Sequence, residues 1–412
     1  MNLVTTIAGG HYLTLVQFAA VATGLSFTSL TALNIGSGFC AVMDTLATQE
    51  HGRRRNSPEI LKYLFRSLWW TFAFYIPVSI LYWFSEYFLV YLIHEDLVAP
   101  TAHFLKFSFL IIIPMLLVNN LLKFSQCQHV TQLGVIASLL GFLTLIPLLI
   151  LFKSLEINGI ILALAINRSV IVLASLFYIV RHPDLKKTWA PEEAEDGTVP
   201  STRAHVWRLL KESFTEWGEL MSFGRKSLPI LAAFLADSWA FELLSLLASS
   251  LSPLASATWS VLLVIYVQFF SLFIGTAIAC AIRVGTSVGQ GKGLLARRYA
   301  LATIVVNLTM CLVVACFLWS GGVKVLLRLL QKNASVVEEG AALTVWVGFT
   351  FIGDSMFYAT QGAFRGAGLN KELLALVFFS LWGIALPLAL VLTKGSGNNS
   401  RRDEVGTPGR VS

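Results

Sequence analysis

The fold is decided by one stretch of the chain, residues 121–151, which reads LLKFSQCQHVTQLGVIASLLGFLTLIPLLIL. From Leu133 onward the stretch is apolar over about 20 residues, the length that an α-helix needs to cross a bilayer. The apolar run is continuous rather than alternating, and a lipid core offers no hydrogen-bond partner to an open strand edge. The stretch therefore predicts a membrane-spanning helix.

The composition of the whole chain agrees with this prediction. Of the 412 residues, 56% are hydrophobic and 13% are charged, and the mean hydropathy is +0.72, whereas soluble domains carry roughly 25% charged residues. This balance excludes a cytosolic enzyme, a disordered chain and a nucleic-acid binder. The five cysteines lack the spacing of a metal site, and no catalytic arrangement lies at a helix end. We therefore expect no enzyme activity, no metal, no cofactor and no nucleic-acid partner.

Ten segments meet the same criterion of length and hydropathy, which predicts an all-α, polytopic membrane protein. They lie near residues 14–45, 61–84, 104–125, 133–152, 158–180, 226–249, 256–282, 299–319, 341–363 and 373–393.

The charges of the loops predict the orientation. Residues 51–57 contain three arginines, whereas residues 85–100 contain three acids and no Lys or Arg. Because Lys and Arg collect on the cytoplasmic side, the first loop and then the linker at 181–216 are predicted to be cytoplasmic. Residues 321–339 carry three basic residues on the predicted outer side, and their spacing of four suggests a short interfacial helix.

The chain also contains an internal repeat. Residues 362–392, GAFRGAGLNKELLALVFFSLWGIALPLALVL, match the stretch quoted above, with Pro147 on Pro387 at an offset of 240, which places Leu122 opposite Gly362. Residues 280–291, CAIRVGTSVGQG, match residues 41–52, AVMDTLATQEHG, at an offset of 239. Two long matches at nearly one offset indicate a duplication.

The repeat predicts two parallel helix bundles, each built on six spans. The opening helix of the first half and the closing helix of the second half have no counterpart, so we interpret the ten spans as twelve minus the first and the last. The predicted organisation is an N-terminal lobe at 1–182, a cytoplasmic linker at 183–221, a C-terminal lobe at 222–394 and a polar tail at 395–412. The linker is predicted to be a solvated hinge.

Acidic residues inside the predicted spans are the strongest functional candidates, because a charge near the middle of a spanning helix costs about 2.5–3.5 kcal/mol. Asp237 and Glu242 lie in one span, and Asp354 lies in another, eleven residues before Arg365. Such carboxylates either bind a cation or a proton in one state of a transporter, or hold the helices together through hydrogen bonds and ion pairs. Trp239, between the two acids of the first span, is a candidate for a cation-binding wall.

Two further ionisable residues favour a structural role. Asp44 lies at the end of the first span, close to Arg53 and the water interface. Arg168 lies in the middle of the fifth span, where we expect it to neutralise an acid on a neighbouring helix.

At this point the chain resembles a named family. AVMDTLATQEHG is similar to the motif that ends the second helix of the MATE (multidrug and toxic compound extrusion) transporters. DSWAFE, at Asp237 to Glu242, resembles the acidic motif of the eukaryotic members, and DSMFYATQGAFRGAG, from Asp354, resembles the tenth helix of the family. The likeness follows the order of nearly the whole chain. The first Trp of the acidic motif is Ser238 here, and a family glutamate of the eighth helix is replaced near Val264, with Gln268 as the polar residue nearby.

The resemblance implies a secondary antiporter of two lobes that exports organic cations or xenobiotics in exchange for H⁺ or Na⁺ by rocking one lobe against the other. It assigns substrate and coupling-ion binding to Asp237, Glu242, Asp354 and Trp239. Asp44, Gln268, Arg283 and Arg365 are secondary candidates.

The partners that the resemblance implies are a small organic cation and the lipid bilayer. We expect a monomer in the plasma membrane or in a vacuolar or vesicular membrane. Two alternatives stay open. One is a lipid or oligosaccharide flippase of the wider superfamily, which needs a basic cavity. The other is a truncated, non-transporting membrane protein.

Overall fold

The computed structural model describes residues 5, 12–191, 201–251, 253–330 and 334–393, and within these residues the regular elements are helices without strands. Among the residues that the structure describes, nine helices are long and apolar enough to cross a membrane, and a pair bent by 52° supplies a tenth span. The prediction of an all-α polytopic membrane protein is thereby confirmed. The predicted polar tail at 395–412 and the acidic run of the linker lie outside the described residues.

The described ranges contain eighteen α-helices, which are numbered in chain order. They are α1 (Leu15–Thr28), α2 (Asn34–Ala41), α3 (Met43–Arg53), α4 (Glu59–Trp83), α5 (Ser85–Leu89), α6 (Glu95–Phe107), α7 (Phe109–Gln126), α8 (Gln132–Leu151), α9 (Glu156–Arg181), α10 (Pro183–Trp189), α11 (Thr202–Thr215), α12 (Trp217–Leu251), α13 (Pro253–Gly289), α14 (Gly293–Phe317), α15 (Val323–Leu330), α16 (Ala334–Ala342), α17 (Thr344–Ala367) and α18 (Asn370–Val377).

Irregular turns join several of these helices into longer spans. The wide helical turn at Ser29–Leu33 connects α1 to α2, so that Val16–Arg53 forms one continuous span. A second wide turn, Phe378–Ala385, continues α18 in a span that ends at Thr393. Between α14 and α15 the chain turns at Gly321, whose φ of +96° is a conformation that favours glycine.

The helices form two compact units. The first comprises residues 1–234 and 288–291, and the second comprises residues 235–287 and 292–412. Helix α12 begins in the first unit and ends in the second.

The first unit has a buried core at the end that the loop charges place in the cytoplasm. Leu61, Leu64 and Phe124 meet there, and Leu185 of α10 and Leu209 of α11 join the same cluster. The described parts of the linker are therefore helices packed onto the first unit, which differs from the solvated hinge that the sequence predicts. On the same unit, Gly38 of α2 lies so close to Leu231 that an added Cβ would come within 2.8 Å of its Cα atom, which holds α12 tightly against α2.

The second unit is organised around aromatic side chains. Phe273, Phe351 and Tyr358 are buried in one cluster with aliphatic residues of α13, α14 and α17. An added Cβ at Gly362 of α17 would lie 2.4 Å from the backbone oxygen of Ala277, so α13 and α17 approach closely there. The outer segment that the sequence predicts as an interfacial helix contains α15 and α16 in its described parts.

Candidate functional site

Two membrane-embedded carboxylates of the second unit are each hydrogen-bonded by a tyrosine. The hydroxyl of Tyr358 donates to Oδ2 of Asp237 at 2.7 Å, and the hydroxyl of Tyr266 donates to Oδ2 of Asp354, also at 2.7 Å. Asp354 and Tyr358 lie four residues apart and share one face of α17. The two bonds thus connect α17 to α12 through Asp237 and to α13 through Tyr266.

Aromatic rings surround this pair of carboxylates. The ring of Tyr266 stacks on Phe351 with centroids 5.3 Å apart, and it lies 5.7 Å from the ring of Phe241. Phe270 stands edge-on to Tyr358 at 4.6 Å. Such rings remove water from the acids and, by their negative faces, also favour a cation.

Neither carboxylate forms an ion pair within the part of the chain that the structure describes. Arg365 is buried in the same unit, about two helical turns beyond Tyr358 on α17. Each acid therefore accepts its hydrogen bond from a neutral donor. Asp237 also interacts electrostatically with the charge of Arg365, without an ion pair between them, whereas Asp354 has no such cation acting on it among the described residues.

A cavity of about 350 Å³ opens beside Asp354. It lies between α12, α13 and the bent pair α16–α17, on the side of Asp354 that the loop charges place toward the outside. Its lining residues are Phe241, Leu244, Trp259, Leu262, Leu263, Tyr266, Leu343, Trp346, Val347, Thr350 and Asp354. The cavity walls are mostly aromatic and aliphatic, and Asp354 is the one acid among the described lining residues, so the cavity fits an apolar or aromatic molecule that carries a positive charge.

Glu242 and Trp239 do not join the cluster. Glu242 is exposed, Trp239 is 47% exposed, and neither is among the described residues that line the cavity. Five residues correspond to about 140° around a helix, so Glu242 points away from the direction of Asp237. The roles of Asp237, Asp354, Glu242 and Trp239 in binding stay predictions, but the geometry favours the first pair over the second.

The secondary candidates are scattered. Gln268 and Arg283 are exposed, and the guanidinium of Arg283 lies 5.9 Å from the ring centre of Tyr299. Asp44 is fully buried in the first unit, where Nζ of Lys123 lies 2.7 Å from both of its carboxylate oxygens. This ion pair supports the structural interpretation of Asp44. The partner is Lys123, however, and not the nearby Arg53.

Arg168 differs from the expectation. Within the described residues no acid lies within ion-pairing distance of it, and its buried Nε has no hydrogen-bond partner. The prediction that it neutralises an acid on a neighbouring helix is wrong. Its neighbour Asn167 instead makes the interhelical contact, by donating to the backbone oxygen of Gly141 at 2.8 Å.

Two residues of the site were missed by sequence reasoning. Tyr358 follows Asp354 by one helical turn, so its presence on the same face was available as a signal. Tyr266 is 88 residues away from Asp354 along the chain and belongs to no motif, so only the packing of α13 against α17 identifies it.

Comparisons with known proteins point to one group of transporters. The family model MatE matches residues 1–151 and 229–391. Multidrug and toxin extrusion protein 1 of Danio rerio is 25% identical over 379 residues, which are 91% of this chain and 60% of that protein. An uncharacterized transporter of Saccharomyces cerevisiae is 24% identical over 392 residues, or 92% of this chain and 52% of that protein. The chain thus spans little more than half the length of these relatives.

Solved structures of transporters share the fold. The eukaryotic MATE transporter AtDTX14 superposes with a TM-score of 0.80 at 19% identity, over 97% of this chain and 85% of that chain. A mutant of the MATE transporter VcmN of Vibrio cholerae superposes with a TM-score of 0.78 at 13% identity, over 94% and 83% of the two chains.

Proposed function

The chain belongs to the MATE family of membrane transporters, and on that premise we propose that it is a secondary antiporter that exports organic cations in exchange for H⁺. Na⁺ is the second candidate for the coupling ion. The cargo binds at a site open to one side of the membrane and leaves after the two lobes have rocked. The protein works as a monomer in the plasma membrane or in a vacuolar or vesicular membrane.

The observation that carries this proposal is the pair Asp237 and Asp354. Both carboxylates lie inside spanning helices, both accept a hydrogen bond from a phenol, and neither is ion-paired in the described chain. A carboxylate without a permanent counter-charge stabilises a proton or an organic cation in its place, but not both at once. Competition for the same charge is the simplest way to couple the exit of a drug to the entry of a proton.

The cavity beside Asp354 supports the cargo class. Its walls are made of aromatic and aliphatic side chains, including Phe241, Trp259 and Trp346, and it offers one carboxylate. A flat apolar cation gains dispersion and cation–π contact from such walls while its charge pairs with Asp354.

The same cavity disfavours the flippase alternative. A lipid or oligosaccharide carrier must bind phosphate groups, which requires Lys or Arg in the cavity. No Lys or Arg is among the described residues that line it.

The deciding experiment is uptake of a fluorescent organic cation by proteoliposomes with an imposed pH gradient. Asp354→Asn and Asp237→Asn are each expected to reduce the initial rate of uptake at least about tenfold, because each variant removes a charge on which the coupled step depends. Asp184→Asn, which changes an exposed acid of the linker, is the matched control and is expected to retain the parent rate.

Glu242→Gln separates the two possible sites of the second unit. Since Glu242 is exposed and lies outside the cavity, we expect its variant to transport at nearly the parent rate. Unchanged transport in both aspartate variants, or a loss confined to Glu242→Gln, would refute the assignment. A Na⁺ gradient that drives uptake in the absence of a pH gradient would identify Na⁺ as the coupling ion. A parent protein that inserts normally and transports under neither gradient would favour the non-transporting alternative.

A further inference from the structure

Helix α11 of the linker is fixed to the inner end of the first unit. Leu209 and Ser213 on one side of α11 are buried. Oε2 of Glu212 lies 2.9 Å from Nζ of Lys62, and one residue after the helix Oε2 of Glu216 accepts from Nη2 of Arg66 at 2.6 Å. The side chains of Lys62 and Arg66 are 9% and 2% exposed, so the ion pairs orient α11 while the burial of Leu209 and Ser213 attaches it to the first unit.

These contacts place α11 at the depth of the lipid headgroups. Lys62 and Arg66 belong to the first two turns of α4, a span of 25 residues. Such a helix is about 37 Å long, whereas the hydrocarbon core measures about 30 Å, so its polar first turns extend into the headgroup region. Trp217, which begins the next span, directly follows Glu216, the acid that Arg66 holds, and tryptophan prefers this interface.

The side of α11 that faces away from the protein combines cations with aromatic rings. Arg203, Trp207, Lys211 and Phe214 recur every three or four residues, and Arg208 lies beside them. Trp207 is 68% exposed and Phe214 is 38% exposed. These five residues are called the outer face of α11. Glu212, the acid of the same helix, lies 2.9 Å from Nζ of Lys62 and, at the longer distance of 3.8 Å, also pairs with Nε of Arg208. With three cations against this one shared acid, the charge of the outer face stays positive.

We propose that the outer face of α11 binds the anionic phospholipids of the cytoplasmic leaflet. Three cations match the negative headgroups, and two exposed aromatic side chains match the apolar edge just beneath them. An acidic soluble protein would satisfy the cations alone. The aromatic rings and the depth of the helix favour the membrane. The linker then anchors the first unit at the surface of the inner leaflet, which is a role beyond transport itself.

The test uses the purified full chain in vesicles, with an environment-sensitive dye on the outer face. Ala204→Cys places the dye on an exposed position beside Trp207, and Cys316→Ala removes the exposed native thiol, the other four thiols being buried. In vesicles of phosphatidylcholine, addition of phosphatidylserine is expected to shift the dye emission to the blue. Glycerophosphoserine in solution, which has the same headgroup without a membrane, is expected to have no effect.

Charge removal then tests the outer face itself. The triple variant Arg203→Gln, Arg208→Gln and Lys211→Gln is expected to raise the phosphatidylserine fraction needed for half of the shift at least about fivefold, the effect of a single cation at an anionic surface. Trp207→Ser keeps all three charges and is expected to reduce the size of the shift.

A matched control removes three cations elsewhere on the predicted cytoplasmic side. Lys292→Gln, Arg297→Gln and Arg298→Gln change exposed residues of the second unit and are expected to leave the response unchanged. Three outcomes would overturn the proposal. They are a dye emission that does not change with phosphatidylserine, an equally large loss of the blue shift in the control triple variant, and a blue shift produced by glycerophosphoserine alone. These outcomes are read without any transport measurement and are independent of the antiporter assignment.

Discussion

The two units of the molecule bury carboxylates in opposite ways. In the first unit, Asp44 is fully buried against Lys123, whose ammonium lies 2.7 Å from both carboxylate oxygens. In the second unit, Asp237 and Asp354 accept from the phenols of Tyr358 and Tyr266, and no ion pair reaches either of them in the described residues. One site holds a neutralised pair, and the other holds acids whose charge has no fixed partner.

The difference separates a structural acid from an exchangeable one. A carboxylate bound to a buried ammonium loses several kcal/mol if it releases that partner, so it stays charged and immobile. A carboxylate that holds only a phenol can take up a proton or a cation and return to its former state at moderate cost. The role of an acid in a span is therefore indicated by the group that contacts it and not by its presence alone.

The largest effect is expected in the first unit, from Lys123→Met. This change leaves the charge of Asp44 buried without its ammonium, which costs about 3–5 kcal/mol. We expect a lower yield of folded protein and a melting temperature well below that of the parent, measured in detergent by fluorescence.

The matched control is Lys106→Met. Its ion pair with Glu86 is equally short, at 2.8 Å, but the two side chains are 28% and 53% exposed, so the loss is expected to stay below about 1 kcal/mol. If both variants melt alike, burial does not distinguish the two ion pairs, and Asp44 loses its structural role.

The next effect is expected in the second unit, from Tyr358→Phe. The variant keeps the ring and its packing against Phe270 but removes the donor to Asp237. Hydrogen bonds between spanning helices contribute about 0.6–1.7 kcal/mol, so the melting temperature falls less than in Lys123→Met.

Tyr178→Phe provides the control for this variant, because its hydroxyl donates to Gln132 at an exposed position. That exposed bond is replaced by water, and a negligible change is expected. If the melting temperature fell as far in Tyr178→Phe as in Tyr358→Phe, the hydrogen bond from Tyr358 to Asp237 would contribute no more to stability than an exposed one.

A smaller effect on stability is expected from Asp237→Asn. The amide oxygen still accepts from Tyr358. Arg365 acts on Asp237 electrostatically but forms no ion pair with it among the described residues, so the change in stability stays within about 1 kcal/mol. Asp44→Asn, compared in the same melting experiment, removes the counter-charge of Lys123 and is expected to cost several times more. Equal losses in the two variants would contradict the division between fixed and exchangeable acids.

The spans were predictable because the bilayer imposes their length. Within the described residues, nine of the predicted segments correspond to one candidate span each, and the segment near 341–363 corresponds to Thr344–Ala367 of the bent pair. The 52° bend itself was not predictable, because no proline lies in α16 or α17 to indicate where the helix breaks.

The partners of the acids were less predictable than the acids. Asp237, Asp354 and Asp44 were all found as charges in apolar runs, which is a local signal. Lys123 lies 79 residues from Asp44, and Tyr358 lies 121 residues from Asp237. Such pairs are made by the packing of distant helices and leave no trace in the spacing of a single segment. The direction of the Glu242 side chain was not predictable for the same reason, since it depends on what α12 packs against.

The smallest effect is expected from Glu212→Gln, which extends the contrast to a carboxylate at the surface. The ammonium of Lys62 donates to this acid and lowers its pKa below the usual value of 4.5. A lowered pKa means that the ion pair stabilises the folded protein above pH 4.5 and ceases to do so as the pH falls through the lowered value. Because the Glu212 side chain is 37% exposed, water screens the pair, and the contribution at neutral pH is roughly 0.3 kcal/mol.

Melting curves of the parent and of Glu212→Gln, recorded from neutral pH to below pH 4, check this prediction. The small difference at neutral pH should vanish at the acidic end, whereas Glu219→Gln, a change at an exposed acid of α12, should follow the parent throughout. A difference between parent and variant that grows as the pH falls would have the wrong sign for a carboxylate held by Lys62. If the expected result is obtained, an ammonium–carboxylate contact contributes several kcal/mol where it is buried, at Asp44, and a few tenths of a kcal/mol where water reaches it, at Glu212. Burial then decides the strength of each pair.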